Sequence, residues 1–92
     1  AIFINVARGA LVNEQDLYTA LTTDEIAGAA LDVLCREPMD PENPLLKIQD
    51  STRLLITPHI AWAAKETRFR VVEEVVQNIR RFQRGDTVNR VY

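Results

Sequence analysis

The stretch Ala1-Ile2-Phe3-Ile4-Asn5-Val6-Ala7, "AIFINVA", decides the fold. It is an apolar run without alternation. It therefore predicts a strand buried on both faces, as in a parallel sheet, rather than one with a wet side. Arg8-Gly9 ends it. Asn13 then stands as an N-cap before "EQDLYTAL", whose first turn is acidic and whose Leu17 and Leu21 share a face. After a polar loop, "IAGAALDV" reads as a second buried strand whose small residues admit a close neighbour, with Asp32 near its end. "RLLIT" is a third strand, stopped by Pro58. Between the second and third lies a long loop, residues 34 to 50, with Pro38, Pro41 and Pro44; "NPLLKIQ" supplies one helical turn inside it.

From about Ala63 to Arg84 the pattern is helical, with Phe69, Val72, Val76, Ile79 and Phe82 on one stripe. Arg80, Arg81 and Arg84 suit its carboxyl end, and Gly85 is the expected C-cap. The tail "DTVNRVY" is expected to be extended. Strand, helix, strand, loop, strand, helix implies a parallel α/β arrangement with right-handed crossovers. Three strands make half of a doubly wound sheet. Because residue 1 is alanine and runs straight into an apolar strand, the chain is expected to be a fragment of a longer protein.

Composition narrows the function. The net charge of -2 favours neither nucleic acid nor an anionic membrane as partner. No apolar run is long enough to span a bilayer. A single cysteine, Cys35, cannot form an internal disulfide, which fits a reducing, cytoplasmic compartment and a plain loop residue. No metal site is expected.

In open α/β sheets, ligands bind beyond the carboxyl ends of the strands. Each strand here is followed at that end by a polar or charged residue. Arg8 follows the first, Asp32 ends the second with Glu37 soon after, and His59 follows the third. Adjacent strands lie about 4.8 Å apart, so on neighbouring strands Arg8, Glu37 and His59 would share one rim. Taken singly, each has a structural reading: a packed histidine, a surface glutamate, an arginine at a strand end, a turn aspartate. Together they offer chemistry. A carboxylate beside an imidazole favours its charged form and fixes which ring nitrogen carries the proton. That makes a general acid/base, and an arginine adds a planar fork for a substrate carboxylate. The set suits a 2-oxo or 2-hydroxy acid, and the hydride would need a carrier.

"INVARGALVNEQDLYTAL", "IAGAALDVLCREP" and "LLITPHIAWAA" resemble, in order and spacing, three successive signatures of the D-isomer-specific 2-hydroxyacid dehydrogenases. The resemblance covers nearly the whole chain. It implies the C-terminal half of a Rossmann-type doubly wound parallel sheet with a long C-terminal helix. Residues 1–84 would be part of the NAD(P)-binding domain, and residues 85–92 a tail returning towards a substrate domain. It implies an oxidoreductase using NAD or NADP, with Arg8, Glu37 and His59 as the catalytic set. Val6, Ala7, Arg8, Asp32, His59, Ile60, Ala61 and Trp62 would hold the nicotinamide end of the cofactor. It also implies a homodimer, and a partner in the missing N-terminal part of the same protein.

"HIAW" has alanine and tryptophan where many members carry glycine or another small residue. It is more like the glycerate dehydrogenase and hydroxypyruvate reductase branch, which points to hydroxypyruvate or glyoxylate. With only three glycines the chain holds no GxGxxG turn, so the pyrophosphate-binding part is not here. Two alternatives stand beside the enzyme: an NAD-sensing transcriptional corepressor of the same family, and a non-catalytic structural fragment inactive by itself.

Overall fold

The computed structural model describes residues 1–91 and divides the chain into two compact units, residues 1–61 and 62–92. The first unit holds strand β1 (Ile2–Asn5), helix α1 (Glu14–Thr22), strand β2 (Gly28–Leu31) and strand β3 (Leu54–Ile56). The strands form one parallel sheet in the order β1-β2-β3. Ile2 pairs with Gly28 and Asn5 with Leu31, while Ala29 pairs with Leu54 and Leu31 with Ile56. All three carboxyl ends therefore finish on the same side.

β2 is central and reads as expected: Gly28, Ala29 and Leu31 are buried. Gly28 lies close to its neighbour: a Cβ there would stand 3.1 Å from the carbonyl oxygen of Arg53. β1 departs from the sequence reading. Ile2, Phe3 and Ile4 are exposed and only Asn5 is buried. The reason is cover: strand side chains project from the faces of a sheet, and among the described residues β1, an edge strand, has its main contacts with β2 alone.

The core joins Leu17 and Leu21 of α1 to Ala29 and Leu31 of β2 and to Leu45. Leu45 comes from a short 3-10 turn, Pro44–Lys47, inside the long loop. Asn43 caps this turn by accepting from the Leu45 amide. Asn13 caps α1 as expected, accepting from the amides of Gln15 and Asp16. At the amino end of the sheet, Arg53 donates to the carbonyls of Ile26 and Ala27 and pairs with Asp24.

The second unit is helix α2 (Lys65–Arg84), which begins two residues later than the apolar pattern indicates. It is closed by Gly85 in the left-handed conformation at φ 81. The tail is not extended throughout. Asn89 turns at φ 59, and its amide donates to Glu74 Oε1 and Asn78 Oδ1, so the chain folds back on its own helix. Tyr92 lies outside the described residues.

Candidate active site

Asn5 ends β1 and is 6% exposed. Its side chain shapes the next three residues: Oδ1 accepts from the Ala7 amide at 3.1 Å, and Nδ2 donates to the Arg8 carbonyl at 2.9 Å. A buried asparagine is satisfied in this way because both halves of the amide need partners. The turn places Val6 and Arg8 at the surface, and Arg8 donates from Nη1 to the Ala7 carbonyl. Gly9 follows with no room to spare. A Cβ on it would fall 2.0 Å from the carbonyl carbon of Leu34, so the Arg8–Gly9 segment and the start of the long loop meet backbone to backbone.

That loop carries Glu37. Its Oε1 accepts from the Leu34 amide at 2.9 Å, closing a tight turn over residues 34 to 37. Its Oε2 lies 2.7 Å from Nδ1 of His59. The Leu34 amide first, and His59 second, hold the Glu37 carboxyl below its usual range, so it is ionised at neutral pH. The Glu37–Pro38 peptide bond is cis.

His59 follows β3 in a left-handed backbone conformation, φ 54. Few residues other than glycine adopt it, and histidine is among the more tolerant of those. Its strain is held by Asp32, which is 5% exposed at the end of β2. Asp32 Oδ1 accepts from the Thr57 hydroxyl at 2.5 Å and from the Ile60 amide at 2.9 Å; Oδ2 accepts from the Ala61 amide at 2.8 Å. One carboxylate thus grips both sides of His59. The Thr57 hydroxyl contributes most, and the two amides less, to keeping the Asp32 carboxyl low against the opposing effect of desolvation.

The structure therefore brings Glu37 and His59 into direct contact and sets Asp32 beneath them. Arg8 stands on the neighbouring strand end, its guanidinium turned to its own backbone. Trp62 belongs to the second unit. Asn5, Gly9 and Thr57 escaped the sequence reading. A lone polar residue at the end of an apolar strand was the available signal for Asn5. Nothing local marks Gly9, because its neighbour Leu34 is distant in sequence.

A pocket of about 430 Å³ is lined by Asp32, Glu37 and His59 together with the apolar Leu34, Met39 and Ile56. Its size suits a small ligand or one ring of a larger cofactor. An ionised carboxylate on an imidazole, at the carboxyl rim of a parallel sheet, fits proton transfer to or from a small ligand.

Sheet, rim and pair define the class: part of a doubly wound α/β nucleotide-binding domain. The chain belongs to the D-isomer specific 2-hydroxyacid dehydrogenases, with residues 1–61 matching the family's NAD binding domain. It is 44% identical over 88 residues to a hydroxypyruvate reductase of Blautia hydrogenotrophica, covering 96% of this chain and 26% of that protein. It is 44% identical over 86 residues to a glyoxylate reductase of Korarchaeum cryptofilum, covering 94% of this chain and 25% of the relative. In structure it resembles an NADPH-dependent glyoxylate/hydroxypyruvate reductase from Sinorhizobium meliloti in complex with NADP and malonate. The TM-score there is 0.62 at 40% identity, over 89% of this chain and 24% of the other. The chain thus spans about a quarter of the length of these relatives. All three are reductases, and the corepressor alternative is not favoured.

Proposed function

We propose that this chain is the nicotinamide-facing half of the nucleotide-binding domain of a longer NAD(P)-dependent reductase. That enzyme interconverts small 2-oxo acids and D-2-hydroxy acids, with hydroxypyruvate and glyoxylate as the preferred substrate class. The observation carrying this reading is the 2.7 Å contact between His59 Nδ1 and Glu37 Oε2 at the carboxyl rim of the sheet.

The cofactor, when bound, supplies the hydride for the substrate's C2. The protein's own residues do the rest. Glu37 accepts from Nδ1 of His59 and so leaves Nε2 as the nitrogen that delivers a proton to the carbonyl oxygen, or removes it in the reverse direction. Arg8 turns its remaining guanidinium N–H groups to the substrate carboxylate. The turn of Val6, Ala7 and Arg8, together with Asp32, Ile60 and Ala61, holds the nicotinamide end. The Ile60 and Ala61 amides already donate to Asp32, so their carbonyls and side chains are what they offer it. We assign residues 1–84 to the nucleotide-binding domain and the following residues to the return towards a substrate domain. We also place the enzyme in the cytoplasm as a homodimer.

The test is the full-length protein assayed for oxidation of NADPH and NADH with hydroxypyruvate and glyoxylate. Turnover with at least one pair is expected, and its loss in H59A. No turnover with either acid, or wild-type turnover in H59A, would overturn the reading.

A further inference from the structure

We infer that Glu14, at the start of α1, is a positioning residue that ties the Arg8 segment to the Glu37 turn; this rests on the reductase reading above. Glu14 acts through the backbone and side chain of the long loop. Its Oε1 accepts from the Cys35 amide at 2.8 Å, and its Oε2 accepts from Nδ2 of Asn43 at 2.7 Å. Asn43 is 5% exposed, and its Oδ1 is spent on the Leu45 amide, so its orientation is fixed. One carboxylate on α1 thereby fastens the long loop at both ends of its first ten residues.

The fastening point adjoins the site. Cys35 follows Leu34, whose amide holds Glu37 Oε1. The Cys35 thiol faces the other direction, its Sγ 3.3 Å from the carbonyl oxygens of both Gly9 and Val12, which share its single S–H. Gly9 itself abuts the Leu34 carbonyl. From Glu14 the connections run through Cys35 to the residue after Arg8 on one side and to the Glu37 turn on the other. The cysteine is a strut of this joint. Burial first, and Glu14 second, push its thiol above the ordinary range, so it stays protonated and able to donate.

The test uses E14A, E14S and E14Q in the full-length protein. Alanine and serine cannot reach the Cys35 amide, whereas glutamine keeps a carbonyl oxygen there. In E14A, kcat for hydroxypyruvate should fall about tenfold, the scale of a small misplacement of reacting groups, with KM for the cofactor unchanged. The acid limb of its pH profile should move upward, because Glu37 loses the well-placed Leu34 amide that keeps it ionised. E14S should follow E14A and serves where E14A fails to fold; E14Q keeps the acceptor for the Cys35 amide but turns its NH₂ group to Nδ2 of Asn43, so it should recover the original profile and only part of kcat. Wild-type kcat and profile in the folded alanine or serine variant would overturn the inference, as would E14Q as damaged as E14A.

A readout independent of turnover separates this from the substrate assignment. Alkylation of Cys35 by a maleimide should be several-fold faster in E14A or E14S than in E14Q, which lacks the charge as they do but keeps the acceptor for the Cys35 amide. Equal rates refute the joint even if neither acid proves to be a substrate.

Discussion

Asp32 and Ala61 are joined across the sheet by a 2.8 Å hydrogen bond from the Ala61 amide to Oδ2, while Oδ1 of the same carboxylate takes the Ile60 amide. The histidine between Asp32's two sets of partners, Thr57 and residues 60–61, owes its aim to this grip. D32N should therefore damage the loop rather than the sheet. Three donors reach the two oxygens of Asp32; an asparagine has only one oxygen, so at least one backbone amide must face its NH₂ group. We expect kcat to fall at least tenfold. Amide exchange at Ile60 and Ala61 should accelerate while that of β2 stays slow. Unchanged exchange at both would refute the grip.

On the proposed function, H59A removes the proton-transferring group itself. In the full-length reductase kcat should fall by roughly a hundredfold or more, the range lost with a general acid/base. KM for the cofactor should change little. Steady-state kinetics separates the two.

E37Q keeps an acceptor for the Leu34 amide but takes away the charge facing the imidazole. The proton-donating form of the pair is then less favoured, and the rate of reduction should fall most at the alkaline side. The pH optimum for reduction should move downward. A superimposable pH–rate profile would mean that the 2.7 Å contact has no part in the reaction.

Asp32 and Glu37 both hold their carboxyls below the usual range. The sign follows from linkage. A carboxyl lowered on folding adds stability that is present above its unfolded pKa and is lost as pH falls through the folded one. The rim should therefore loosen on acidification below the ordinary carboxylate range. Residues 57–61 should respond in D32N with a weaker pH dependence than in wild type. Chemical shifts of the Ile60 and Ala61 amides across an acid titration would measure this.

G9A places a methyl group 2.0 Å from the Leu34 carbonyl carbon, in backbone that has no side chain to swing aside. Overpacking of this kind costs roughly 1–3 kcal/mol. It should also separate Arg8 from the Glu37 turn. A melting temperature and activity equal to wild type would show that the two segments can part without penalty.

Much of this arrangement was legible in the amino-acid order. The apolar runs gave the parallel sheet, Asn13 and Gly85 gave the helix ends, and residues after three strand ends gave the rim. What could not be read shares one property: dependence on atoms far along the chain. Exposure of Ile2 and Ile4 follows from what packs on the faces of β1. Gly9 is needed because of Leu34. Glu14 looks like any acidic first-turn residue until Cys35 and Asn43 arrive from 21 and 29 positions away. Asp32 appeared as a cofactor contact by resemblance, and its hold on residues 57, 60 and 61 is a property of the folded loop.

The abutment of Gly9 against Leu34 has a consequence for how such a protein can diverge. The spacing between the two reactive segments is set by main chain, which substitution hardly alters. Side chains along the neighbouring apolar wall, such as Met39 and Ile56, can be exchanged without disturbing that spacing. On the proposed function, the pocket's side chains could then be varied while Arg8 and Glu37 keep their distance from one another.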